Sequence, residues 1–277
     1  MRNFFDRSLR IGLSRQGLTV LHIKRGRRSA TTSLSDHRFE ECLLKSPEQL
    51  SGHICKILAA EQYRRLATTV ILSNDLARFW MVTPPANATR LLDCKAAADL
   101  RFQALYGEPS TTWKIAADWQ IVQPFLASAI PQTLLATLQH ACLACRLPLV
   151  EIAPQFVAAW NRSHSLIRKN AWFGVVDCDL ITFAALHQGR LHAVRSIPLA
   201  EQAITDPAYL HDHIAREVLR LQIPMPTEMQ FYGKKRENWC IPTADQLIYS
   251  WLDEGKTATR VAQTPGLALA STGLAGT

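Results

Sequence analysis

Leu9-Arg10-Ile11-Gly12-Leu13-Ser14-Arg15-Gln16-Gly17-Leu18-Thr19-Val20-Leu21-His22-Ile23 is the stretch that decides the fold, because its plan returns from Trp172 onward. Leu9 to Leu13 and Leu18 to Ile23 read as a hairpin around Arg15-Gln16-Gly17, with a third strand near Ala30 to Leu34 after the Arg25-Gly26 turn. Ser46-Pro47-Glu48-Gln49 then opens a helix: Ser as N-cap, Pro at the first helical position and Gln three residues on. Leu50, Ile54, Ile57 and Leu58 form its apolar face. The run Thr69-Val70-Ile71-Leu72 follows as a strand buried on both sides. The second pass has a hairpin passage from Trp172 to Ile197 that turns at Gln188-Gly189. A helix then opens at Asp206-Pro207, with Leu210, Ile214, Val218 and Leu221 on one side, before a strand from Glu228 to Tyr232. Equivalent elements begin 163, 160 and 159 residues apart (Leu9 to Trp172, Pro47 to Pro207, Thr69 to Glu228). A near-constant offset implies two lobes of one architecture facing each other across a cleft.

Between the two passes lies an insertion. Phe79 to Val82 is a short strand ending at Pro84-Pro85, and Leu91, Cys94, Ala98, Phe102 and Leu105 mark a helix stopped by Gly107 and Pro109. Thr111 to Trp119 and Ile121 to Ala127 read as two strands. Pro131 opens a further helix with Leu134, Leu135, Leu138, Cys142 and Cys145 facing inward. This order describes a small α+β subdomain. Pro154 begins a helix through Phe156, Val157 and Trp160 into the second lobe, and a last helix is expected from the capping box Thr243-Ala244-Asp245-Gln246, burying Leu247, Ile248, Trp251 and Leu252. The expected division is a first lobe over 1–153 with its subdomain at about 76–150, a second lobe over 154–260, and a disordered tail over 261–277 rich in Gly, Ala, Ser and Thr.

Composition narrows the class. With 48% hydrophobic and 19% charged residues in 277, the chain is an ordinary globular protein long enough for two domains. No window approaches the roughly twenty apolar residues a membrane span needs, and the start Met1-Arg2-Asn3-Phe4-Phe5-Asp6 lacks the apolar run of a secretory signal. A soluble cytoplasmic protein with seven reduced cysteines is expected. The net charge of +8 favours an anionic neighbour. Its basic clusters are Lys24-Arg25 with Arg27-Arg28, Arg64-Arg65, Arg168-Lys169 and Lys234-Lys235-Arg236, and solvated turns are the simplest reading of them.

Ile11-Gly12-Leu13-Ser14 with Gly17-Leu18-Thr19-Val20, Val70-Ile71-Leu72-Ser73-Asn74 leading to Arg78-Phe79, the Leu147 to Asn161 linker, and Gly174-Val175-Val176-Asp177 together resemble the actin-like ATPase superfamily. Within it the chain is similar to the PilM type IV pilus proteins and the cytoplasmic part of GspL-type secretion proteins. The resemblance implies an α/β, two-lobed actin-like fold, a duplicated ribonuclease H-like unit, with a small α+β subdomain inserted in the first lobe. Members that hold ATP and Mg²⁺ grip the phosphates with two hairpin turns, each carrying an acid and a following glycine. Here the first turn is Leu13-Ser14-Arg15-Gln16-Gly17, without an acid. At the second, Asp177 matches, but Cys178-Asp179-Leu180 stands where glycines belong, with Thr182 beyond; the adenine-side turn is Gly233-Lys234-Lys235. Ser14, Gly17, Asp177, Thr182 and Gly233 are thus the vestigial nucleotide-site positions, with Arg15 and Lys234 as anion-holding candidates.

Other constellations are weaker. Cys142-x-x-Cys145 has redox or metal spacing, but both residues fall on an apolar helix face with no second pair, so buried small hydrophobes are expected. In His211-Asp212-His213 the two imidazoles point apart on a helix. Asp177 and Asp179 form a carboxylate pair without a third ligand, and neither a Gly-x-Ser-x-Gly elbow nor a P-loop occurs. The expectation is a non-enzymatic scaffold with no catalytic residue, metal or cofactor, peripheral at the inner membrane. It would bind the cytoplasmic peptide of an inner-membrane assembly protein, with an assembly ATPase as a second candidate partner and no nucleic acid. The alternatives are a working ATPase of the same fold and a basic nucleic-acid-binding protein.

Overall fold

The computed structural model describes residues 7–25, 30–39, 46–177, 180–199, 207–233, 235, 239, 247–252 and 265–274. In chain order the elements are β1 (Arg7–Leu13), β2 (Gly17–Arg25), β3 (Ala30–Arg38), α1 (Pro47–Leu58), β4 (Ala67–Leu72), β5 (Arg78–Val82), α2 (Leu91–Tyr106), β6 (Trp113–Ala117), β7 (Phe125–Pro131), α3 (Gln132–Ala144) and β8 (Leu149–Pro154). The chain continues through α4 (Gln155–Ser163), β9 (Ala171–Val176), β10 (Leu180–His187), β11 (Arg190–Pro198), α5 (Pro207–Leu221), β12 (Glu228–Tyr232), β13 (Ile248–Trp251) and α6 (Pro265–Ser271).

Two five-stranded sheets share one topology, β3-β2-β1-β4-β8 and β11-β10-β9-β12-β13. In each, an antiparallel three-strand meander is extended by two parallel strands. The duplication read from the sequence is therefore present strand for strand. The β10–β11 turn at Gln188-Gly189 has positive φ at both residues, +52° and +73°, as the tight hairpin turn requires. The inserted subdomain is a third sheet, β5-β7-β6, with α2 stopped by Gly107 at φ +67°. Its second expected strand starts later than the sequence suggested: Ile121 and Val122 lie in an exposed loop and β7 begins at Phe125.

Alternate residues of the first sheet serve different faces. Leu9, Ile11, Leu13, Leu18 and Val20 pack with Leu50, Ile54 and Leu58 of α1 and Leu134 and Leu138 of α3. The opposite face belongs to α6: Leu21 and Ile23 meet Ala270, and Ile71 and Ala153 meet Leu269. The segment expected to be a mobile tail is instead a buried helix. Its small residues are the reason, since Gly12 and Gly266 allow a close approach. A Cβ on Gly12 would stand 2.9 Å from the Ala270 nitrogen, and one on Gly266 would collide with Thr19. Arg10 holds the far end of the helix, its Nε donating to the Ala270 carbonyl at 2.7 Å and its Nη2 to that of Thr272. Burial lowers the Arg10 pKa, opposed by Glu151 and Tyr232.

A reciprocal exchange occurs at the other end of the first lobe. The Leu147 to Asn161 linker contains strand β8 followed by α4, and α4 leans on the second sheet, with Phe156 and Trp160 at 5.9 and 5.8 Å from the Phe173 ring. The expected helix over Leu247 to Leu252 is strand β13. Tyr249 and Trp251 are buried and Ile248 is 60% exposed, the two-residue alternation of a strand. Its proposed capping box at Thr243 to Gln246 lies outside the described residues.

Candidate functional site

Strands β1, β4, β9 and β12 are the central parallel strands of their sheets, and their carboxyl ends meet where the lobes face each other. Open α/β sheets bind ligands in that position. The β1–β2 turn is closed on itself. Ser14 N–H donates to the Gly17 carbonyl at 2.9 Å, the Gln16 N–H to Ser14 Oγ at 3.2 Å, and the Ser14 hydroxyl also reaches the Gly17 carbonyl at 3.3 Å. Gly17 has a packing task, since a Cβ there would stand 2.4 Å from the His37 carbonyl oxygen.

Asp177 directly follows β9, and its Oδ2 accepts the Ser73 hydroxyl at 2.7 Å. Ser73 in turn donates its N–H to the Leu13 carbonyl at 2.8 Å, so one short chain of hydrogen bonds runs from the first turn, across the end of β4, to the second lobe. Gly233 follows β12 at φ +113°, and a Cβ there would come within 2.9 Å of the Val176 carbonyl. Thr182 is not at the cleft: it is fully buried within the sheet, with its hydroxyl 2.9 Å from that of Ser196. Cys178, Asp179 and Lys234 lie outside the described residues.

Arg15, an anion-holding candidate, is engaged within its own lobe. Its Nε lies 2.9 Å from Asp75 Oδ2, and its Nη2 donates to the Asp75 carbonyl. Asn74 was also missed as part of this constellation. It is 2% exposed, and its Oδ1 accepts the Phe156 N–H at 2.7 Å, capping α4 where Pro154 has no side-chain oxygen to offer. Ser73, Asn74 and Asp75 thus each fix a different neighbour: Asp177, Phe156 and Arg15. Only their place after a buried strand hinted at this, since their partners are distant in sequence.

Among the described residues no group of three or more His, Cys, Asp or Glu is arranged to hold a metal, and no helix is long and apolar enough to cross a membrane.

No protein-family model matches the chain, and no curated protein matches it in sequence. Solved structures do match in shape. A chain of the PilM–PilN type IV pilus biogenesis complex superposes with TM-score 0.62 at 13% identity, over 96% of both chains. A Bacteroides thetaiotaomicron protein described as having an actin-like ATPase fold and unknown function gives 0.60 at 11% identity, over 92% of this chain and 95% of that one. The cytoplasmic domain of EpsL, an inner-membrane component of the Vibrio cholerae type II secretion system, gives 0.57 at 10% identity over 88% of each. The twin sheets, the insertion between β4 and β8 and these likenesses agree: the chain has the actin-like ATPase fold, in a form similar to a chain of the PilM–PilN complex and to the EpsL cytoplasmic domain.

Proposed function

We propose that this chain is a non-catalytic actin-like scaffold of an inner-membrane assembly platform, serving type IV pili or a type II secretion-like system. It binds the cytoplasmic peptide of a membrane-anchored partner and works at the cytoplasmic face of the inner membrane, with an assembly ATPase as a further partner. The observation that carries the reading is the Ser73–Asp177 hydrogen bond across the cleft. In an ATP-holding relative the equivalent acid serves Mg²⁺ through water. Here Asp177 receives a protein hydroxyl, the Ser14 and Gln16 amides bond within their own turn, and Arg15 pairs with Asp75. These residues do not suit a magnesium–nucleotide, so no ATP or Mg²⁺ is assigned to the chain and no hydrolytic step is derived. The +8 charge is attributed to work beside an anionic leaflet, not to nucleic acid.

Titration calorimetry with millimolar Mg·ATP tests the non-catalytic part, and a flat trace is expected. Heat that disappears in Asp177→Ala would replace the scaffold reading with the ATPase reading. Pull-down with the cytoplasmic N-terminal peptide of a candidate inner-membrane partner tests the binding part, and retention on the peptide but not on its scrambled version is expected.

A further inference from the structure

Three thiols meet between α1 and α3, outside the cleft. Cys55 on α1 and Cys145 at the C-cap of α3 line one pocket of about 310 Å³, together with Ala59, Arg64, Ala144 and Arg146. Cys145 Sγ lies 3.8 Å from the Cys55 carbonyl oxygen and Cys55 Sγ lies 4.0 Å from that of Ala141, so the two residues adjoin across the helix interface. Both are half-buried, whereas Cys142 is buried and faces the core.

The Cys142-x-x-Cys145 spacing suggests a pairing that this geometry disfavours. Positions three apart on a helix hold their Cβ atoms about 5–6 Å apart, beyond the roughly 3.5–4.5 Å of a disulfide. The neighbour of Cys145 across the helix interface is Cys55.

We propose that Cys55 and Cys145 form a reversible disulfide, a redox-modification site whose oxidant is a small carboxylate-bearing disulfide such as glutathione disulfide. One thiol loses its proton and attacks an oxidant sulfur, forming a mixed disulfide and releasing one glutathione thiolate. The second protein thiol, also deprotonated, then attacks the protein-side sulfur, forming the Cys55–Cys145 bond and releasing the second glutathione. The two protein thiols are oxidised, one glutathione disulfide is reduced to two glutathiones, and the two protons pass to the released thiolates. Arg64 and Arg146 give the pocket guanidinium groups suited to the oxidant's carboxylates. The closed loop runs from residue 55 to residue 145 and contains β4, the whole inserted sheet, α2 and α3, so the bond clamps the end of α3 to α1. Burial pushes the Cys145 thiol up to about 11, with Cys55 adding to the effect, so the rate rises with pH well beyond neutrality.

The test is incubation of the full chain with glutathione disulfide, followed by disulfide mapping of digests by mass spectrometry, for wild type, Cys55→Ser, Cys142→Ser and Cys145→Ser. The expected result is a Cys55–Cys145 cross-link in wild type and Cys142→Ser, reversed by dithiothreitol. It is absent from the other two variants and accompanied by a higher thermal midpoint in the oxidised protein. A Cys142–Cys145 link, a link to any other cysteine, mixed disulfides alone, or free thiols under conditions that oxidise an exposed dithiol peptide would each overturn the proposal. Arg64→Ala with Arg146→Ala should slow oxidation by glutathione disulfide several-fold and leave the rate with uncharged hydroxyethyl disulfide unchanged. Equal slowing with both reagents would remove the oxidant assignment.

Discussion

Gly12 and Ala270 meet backbone to backbone: a single methyl group on Gly12 would stand 2.9 Å from the Ala270 nitrogen and 3.2 Å from the Leu269 side chain. Gly12→Ala should therefore destabilise the protein by about 1–3 kcal/mol through overpacking, and Gly12→Val by more. Denaturant unfolding measures the loss. Removal of residues 265–277 bares Leu21, Ile23, Ile71 and Ala153, and should increase binding of a hydrophobic dye. A truncated chain with unchanged stability would contradict the packing described above.

Asn74 reaches α4 from the turn that follows β4, so its loss is felt at a helix to which it does not belong. Asn74→Ala leaves the buried Phe156 amide without its acceptor and should cost about 1–3 kcal/mol. Amide hydrogen exchange should locate the effect, with faster exchange at the start of α4 and little change in α2.

Across the cleft, the Ser73–Asp177 bond predicts energetic coupling between the lobes. In a double-mutant cycle of Ser73→Ala and Asp177→Ala, the coupling energy should be about 1.5–3 kcal/mol, the range for a hydrogen bond to a charged group. Additive effects would show that the contact does not join the lobes in solution.

Arg168 belongs to a basic cluster read as solvated turn residues, yet it neutralises an acid inside the sheet. Its Nη1 donates to both oxygens of Glu228, at 3.0 and 2.8 Å, and the Glu228 side chain is only 6% exposed. Arg168→Ala removes that cation, but the arginine is itself 71% exposed and the Ser250 hydroxyl still donates to Glu228, so the loss should be about 1–3 kcal/mol. Adding Glu228→Gln should restore part of the loss in the same denaturation assay.

His22 sets a pH dependence. It is buried against Tyr63, and burial first, then Arg7 and Lys24, lower its pKa. The folded state therefore binds fewer protons than the unfolded chain, whose imidazole titrates near about 6.5. The stabilisation is present above that value and is lost as pH falls from it toward the folded pKa. His192 and His213 shift in the same direction, so His22→Leu should flatten the decline in thermal midpoint between about pH 7 and 5 without abolishing it.

What the sequence made legible follows from the range of the interactions. The hairpins at Leu9 and Trp172 announce themselves through period-two apolar residues and local turn chemistry, and the repeat supplies the lobe count. α6 was hidden because Pro265-Gly266-Leu267-Ala268-Leu269-Ala270 carries the small residues of a loose tail. They are small because β1 and β2, more than two hundred residues earlier, lie against them. β13 reads as a helix in the sequence because Leu247, Ile248, Trp251 and Leu252 lie at helical spacing after a capping-box motif, and so short an apolar run fits a strand's two-residue period as well. Asp177 stood out as a match to the phosphate-turn acid, but no local pattern identifies Ser73 as its partner, and Thr182 proved to be an internal residue of its sheet.

The handing over of α4 and α6 between the sheets has a consequence for biosynthesis. The strands of the N-terminal sheet leave the ribosome early, yet the helix that covers one side of that sheet is translated after the second sheet's last strand. Until then a greasy surface around Leu21 and Ile71 stays uncovered, and a nascent chain stalled short of residue 265 is a natural client for a chaperone.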